Sequence, residues 1–174
     1  MAAPRYALEP QARGQLMAAL ALAWDGQWFL KVKDRFGYQA AAELNARVRA
    51  SFGRLEMRFT LRALGKESAE DLEDALEVWR AYVDAFDAGR GAFAGTQAVQ
   101  GSTLRVSVTR CAAWEGAKRA GLEGTTQACV ACETLWKAWF GALLPGREVS
   151  QQVLARMGFG DPACRFTVGD APKP

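Results

Sequence analysis

Apolar residues in the first half of the chain recur at helical spacing. From about Gln11 to Phe36 one row runs through Leu16, Leu20, Trp24, Trp28 and Val32 and a second through Leu22, Phe29 and Phe36. Together they predict one long helix with a wide apolar stripe, stopped at Gly37. A second helix, from about Tyr38 to Leu64, carries Ala41, Leu44, Val48, Phe52, Leu55 and Phe59 on one face and ends at Gly65. Ser68 followed by Asp71 makes a capping-box-like start for a third helix, whose stripe is Leu72, Leu76, Trp79, Val83 and Phe86. Short turns between amphipathic helices imply antiparallel packing.

The pattern changes after Gly89. GRGAFAGTQAVQG reads as a loop or junction, and beyond it Leu104, Val106 and Val108 alternate with Arg105, Ser107 and Thr109, the mark of a half-buried strand ending near Cys111. AAWEGAKRAG predicts a short helix closed by Gly121. Thr125 or Thr126 caps a longer helix of about Gln127 to Leu144, which Pro145 and Gly146 end. Val149, Gln151 and Val153 begin a further strand, and Cys164, Phe166 and Val168 alternate on another after the turn GFGDP. The expected class is α+β: N-terminal antiparallel helices (1–90) packed with a small C-terminal antiparallel sheet and helices (91–174), the two halves forming one compact domain.

Composition narrows the chemistry. The chain has no histidine, which excludes Ser-His-Asp triads, Cys-His dyads and imidazole-ligated metals or haem. A net charge of +3, with basic and acidic residues interleaved, does not argue for nucleic acid. No stretch approaches the roughly 20 apolar residues of a membrane span, and MAAPRYALEP has no leader-like apolar run. A cytoplasmic, reducing setting is expected, in which cysteines are thiols or metal ligands before they are disulfides.

All four cysteines, Cys111, Cys129, Cys132 and Cys164, lie in the second half. A cysteine-only set suits zinc or an iron-sulfur cluster (4Fe-4S), and the single CxxC with two distant partners suits a cluster at least as well as zinc. Buried inert thiols are the competing reading, since Cys164 shares an alternating face with Phe166 and Val168; redox or nucleophilic thiols are a third. Asp25, within WDGQW, shares a helix face with Leu22, Phe29 and Val32, where a carboxylate needs a partner or a shifted pKa. Flanked by Trp24 and Trp28 it reads as a ligand-binding anchor or general base, or as the partner of an arginine on the second helix. Arg47, Arg54, Arg58 and Arg62 fall near one line, a solvated face before an anion grip.

The residues also carry a resemblance. The early WDGQWF, the long helix after DRFGYQAA, the strand ending in Cys111, the downstream Cys129 and the terminal GDPACRFTV resemble a group of bacterial and archaeal proteins labelled as related to L-2-amino-thiazoline-4-carboxylic acid hydrolase. The terminal Gly160, Asp161, Cys164 and Phe166 are similar to the end of 4-vinyl reductase domains, α+β small-molecule-binding modules with cysteines proposed as metal ligands. Cys111, Cys129 and Cys164 match the group's pattern, so the resemblance sets a three-cysteine site with an open position beside a closed four-cysteine one. The function expected first is therefore a cytoplasmic metal or iron-sulfur protein, with or without a small-molecule pocket; the alternatives are a hydrolase of a small cyclic C-N substrate and a non-enzymatic sensor of a small ligand. Six tryptophans and a helical half leave room for a homodimer.

Overall fold

The structure is a computed structural model that describes residues 7–87, 91–122 and 130–172. Helix α1 (Pro10–Phe36) opens with Pro10 in its first turn, where a missing N–H costs nothing, and ends at Gly37, whose φ of 85° lets its amide close on the Lys33 carbonyl at 2.9 Å. The chain turns there directly into α2 (Tyr38–Ala63). At the end of α2, Gly65 takes a φ of 69° and the Lys66 amide reaches the Leu61 carbonyl at 2.9 Å, a Schellman closure. α3 (Leu72–Asp87) begins later than Ser68 suggests: the Asp71 carboxylate accepts the Asp74 amide at 2.9 Å and so supplies the cap.

Strand β1 (Phe93–Gln100) occupies the stretch expected as a loop. Its small residues give little alternating signal, and what makes it a strand is antiparallel pairing with β2 (Thr103–Cys111) through the two-residue turn Gly101-Ser102. A bulge at Ala94/Gly95 brings the backbones so close that a Cβ on Gly95 would stand 2.1 Å from the Ser107 carbonyl oxygen. After α4 (Ala112–Arg119) and α5 (Cys132–Leu143) come β3 (Arg147–Ala155) and β4 (Cys164–Pro172). The sheet order is β1-β2-β4-β3, all antiparallel, confirming the α+β class. The predicted cap at Thr125 or Thr126 lies outside the described residues, as does Cys129.

The inner face of the sheet (Leu104, Val106, Phe166, Val168) meets Trp136, Phe140 and Leu143 of α5, Leu72, Leu76 and Trp79 of α3, and Met57 and Leu61 of α2. Both halves of the chain thus feed one core. α5 lies between the sheet and α2, and α1 packs on α2 and α3. Gly53 makes the α2–α5 approach possible, since a Cβ there would stand 2.8 Å from Leu135 Cδ1 and 3.2 Å from the Trp139 ring.

The third stripe is buried as the pattern implies, at Leu72, Leu76 and Trp79. The first two helices differ. On α1 the row Leu16, Leu20, Trp24 and Trp28 faces outward, and the inward face is the second row with Leu22 and Phe29. On α2 the regular row Leu44, Val48, Phe52, Leu55 and Phe59 is exposed, while Ala41, Ala42, Gly53, Glu56, Met57 and Leu61 are buried. Small residues set that orientation by letting α2 lie close against its neighbours.

Candidate ligand site in the helix layer

Four helices converge on a polar cluster inside an otherwise apolar layer. Its centre is Glu56 of α2, a buried carboxylate that accepts the Trp139 indole N–H at 2.7 Å on Oε2 and faces the Arg49 guanidinium at 3.3 Å on Oε1. Arg49 and Glu56 are seven residues apart and so lie on one face, two turns along. Tyr82 of α3 joins them: burial, then the charge and hydrogen bonding of Glu56, push its phenol far above the usual range, against the opposing pull of Arg49. Burial disfavours the charge on Arg49, but Glu56, Tyr82, Asp25 and Cys132 outweigh it and hold the guanidinium charged.

Asp25 enters from α1. Burial raises its carboxyl above the ordinary aspartate value; Arg49 pulls it down and Glu56 pushes it up. The arginine of the second helix whose charge acts on Asp25 is Arg49. Trp24 and Trp28 do not close around Asp25: Trp24 is 77 % exposed, because adjacent residues of a helix point about 100° apart.

Aromatic rings surround the cluster. Trp136 and Trp139 meet edge to face at 5.2 Å, Trp79 lies 4.8 Å from Trp136, and Tyr82 lies 6.0 Å from Trp139, all ring centroid distances. The Trp79 indole N–H is buried with no hydrogen-bond partner among the described residues. A donor left so costs about 1–3 kcal/mol, the cost a bound acceptor would remove. The arrangement thus places a cation, a carboxylate, a phenol and an unpartnered indole N–H beside a cluster of aromatic rings.

Glu56, Arg49, Tyr82 and Trp139 carry no sequence motif. The available signal is the company they keep: Ala42, Gly53 and Thr60 share the face of Arg49 and Glu56, and small residues at that spacing mark close helix packing.

The cysteines divide. Cys111 caps the start of α4 and Cys164 begins β4; Cys164 is among the groups whose charge acts on Cys111. Burial raises both thiols above the ordinary range, opposed at Cys111 by the Trp114 and Ala113 amides and at Cys164 by the Met157 amide, which reaches its sulfur at 3.3 Å. Cys132, at the start of α5, acts instead on Arg49, and its carbonyl accepts the Gln151 side-chain amide at 2.6 Å. Cys111, Cys132 and Cys164 form no disulfide, and among the described residues no group of three or more Cys, Asp or Glu is gathered as a metal site. The arginine row of α2 is solvated as expected, with Arg54 on the Ser51 hydroxyl and Arg58 on the Arg54 carbonyl, both at 3.3 Å. No described helix is long and apolar enough to cross a membrane.

No protein-family model matches the chain, and a search of curated proteins found no match. Among solved structures it is similar to one described as the crystal structure of the phenol-responsive sensory domain of the transcription activator PoxR with phenol. The similarity covers 95 % of this chain and 77 % of that one, with a TM-score of 0.55 and 14 % identity, and is a likeness of fold.

Proposed function

We propose that this domain is a non-enzymatic sensor that binds a small aromatic compound bearing a hydroxyl or similar polar group between α1, α2, α3 and α5. The observation that carries the reading is the Glu56–Arg49–Tyr82–Trp139 cluster, buried at Glu56 and Trp139 and half-buried at Arg49 and Tyr82, with the Trp79 indole N–H left unpartnered beside it. Burying a charge pair rarely improves stability over apolar packing, so such a cluster in a core is better explained by recognition than by folding. Glu56 and Tyr82 would take the polar substituent, the Trp79 N–H would donate to it, and the rings of Trp136 and Trp139 would hold the aromatic body. The fold shared with a phenol-responsive sensory domain supports starting from phenols.

The test is titration with phenol, cresols and catechol, read by thermal shift and tryptophan fluorescence, with toluene as the control lacking a hydroxyl. Stabilisation by phenols over toluene, weakened about tenfold or more by Glu56→Gln, is expected. Toluene binding as well as phenol, or no phenol response at millimolar concentration, would sink the reading.

A second reading is favoured by the strand register, which pairs Cys164 with Val108 near the Cys111 end of β2 and so sets both thiols at one end of the sheet: a thiolate centre for zinc or a 4Fe-4S cluster. These two thiols would ligate at the end of the sheet, with Cys129 and Cys132 the further donors in the sequence. Bound metal would draw both thiols down to thiolate, supplying the energy that burial withholds. Protein purified without oxygen should then contain iron and sulfide or stoichiometric zinc, lost in Cys111→Ser/Cys164→Ser; metal-free protein with titratable thiols would end this reading.

A further inference from the structure

The two longest helices show solvent their most regular apolar rows. On α1 the row is Leu16, Leu20, Trp24 and Trp28; on α2 it is Leu44, Val48, Phe52, Leu55 and Phe59, at spacings of four, four, three and four, which keep one face on a straight helix and suit packing against another. Trp24 is 77 % exposed, Phe59 59 % and Leu20 53 %. In α1 the charged residues between Arg13 and Lys31 reduce to Asp25, which turns inward, so the outer face of that stretch bears no charge. Monomeric proteins rarely leave a contiguous apolar patch of more than a few hundred Å² in water.

We infer that the outer rows of α1 and α2 form a self-association face, covered in solution by a second copy of the chain. Scaling those exposures by typical side-chain areas gives on the order of 800 Å² of apolar surface, the share that each partner of a stable complex contributes. Composition agrees. Around its apolar row α2 carries arginines and no lysine, with Arg49 and Arg62 lying 5.9 and 6.0 Å from the Phe52 and Phe59 ring centroids, and interface cores favour aromatic residues and arginine over lysine. A two-fold axis places the same surface on both sides, so apolar rows meet apolar rows. An antiparallel helix pair docked on its copy gives a four-helix layer in which both apolar faces of α1 are used, the inner on its own α2 and α3 and the outer on the partner. Phe52 and Trp24, the positions on which the face is tested, lie outside the Glu56 cluster, so the inference stands or falls apart from the ligand reading.

The test is sedimentation velocity on the full chain from about 1 to about 100 μM, the range over which micromolar and tighter dimers form. The wild type should sediment as a dimer at the upper end. Phe52→Glu and Trp24→Glu, both at exposed positions, should weaken association roughly thirtyfold or more while helical circular dichroism is kept. Should either glutamate variant fail to fold, Trp24→Phe keeps the test open: the wild-type-minus-variant emission isolates Trp24, which should be shielded from acrylamide at high concentration and quenched on dilution. A wild type that stays monomeric throughout would overturn the inference. So would a dimer that persists in folded glutamate variants or leaves Trp24 quenchable at all concentrations. A monomer that floats with anionic phospholipid vesicles would assign the face to a lipid surface and equally overturn it.

Discussion

Glu56 is bound on both oxygens, to the Trp139 indole at 2.7 Å and the Arg49 guanidinium at 3.3 Å, so its removal strands two groups at once. Glu56→Ala should destabilise the fold by about 2 kcal/mol, because a half-buried cation loses its partner and an indole N–H is left unsatisfied. Denaturant unfolding checks this, and a loss below about 1 kcal/mol would show that water readily replaces the carboxylate. Asp25 gives a pH-dependent counterpart. Its folded pKa is raised, first by burial, so its contribution to stability is present below the unfolded aspartate value and lost as pH rises through the folded one. Asp25→Asn should therefore raise the thermal midpoint at pH 7 by no more than a few degrees, the gain vanishing as pH falls below about 4. Melting curves across that range decide it; a lowered midpoint at pH 7 would mean that attraction to Arg49 outweighs desolvation. Asp25 was readable as the one charge on an apolar stretch of helix. Glu56 was not, because the indole that marks it as buried comes from α5, 83 residues away.

At the scale of elements, Gly37, Gly65 and Gly121 close α1, α2 and α4 where the sequence places their ends, and all three take a positive φ. Periodicity could not say which apolar row of α1 or α2 faces the core. Both helices are apolar on more than one side, and the choice falls to small residues that allow close approach. Gly53 is the clearest instance: its missing side chain is the notch that receives Leu135 and Trp139. Gly53→Val should cost about 2–3 kcal/mol by overpacking the α2–α5 contact, although glycine is a poor helix former and an exposed site would gain from the change. Unfolding free energies measure the difference, and a stabilised variant would mean that α2 can slide away from α5 without loss. Strand β1 was hidden for a related reason. Its residues are small and its identity comes from its neighbour, where Gly95 passes within contact distance of the Ser107 carbonyl.

At the scale of the molecule, α1 joins the proposed ligand site to the proposed self-association face. Asp25 turns toward Arg49 and Glu56, while its neighbour Trp24 stands outward in the apolar row. Ala18 is the one buried residue of this 27-residue helix, so few of its side chains tie it to the core of its own chain. A ligand held between α1 and the Glu56 cluster would also set the angle at which Trp24 meets a second copy, and a partner that holds Trp24 would restrict how α1 covers that site. Thermodynamic linkage makes the two effects equal in size. Phenol at saturation should therefore strengthen the dimer by the same factor, about five-fold or more, by which dimerisation strengthens phenol binding. Sedimentation with and without phenol gives one side of the comparison, and phenol titration of wild type against Phe52→Glu gives the other. Equal factors above one would make α1 the coupling element; dimerisation unchanged by a ligand that does bind would leave α1 a cover for the site and nothing more.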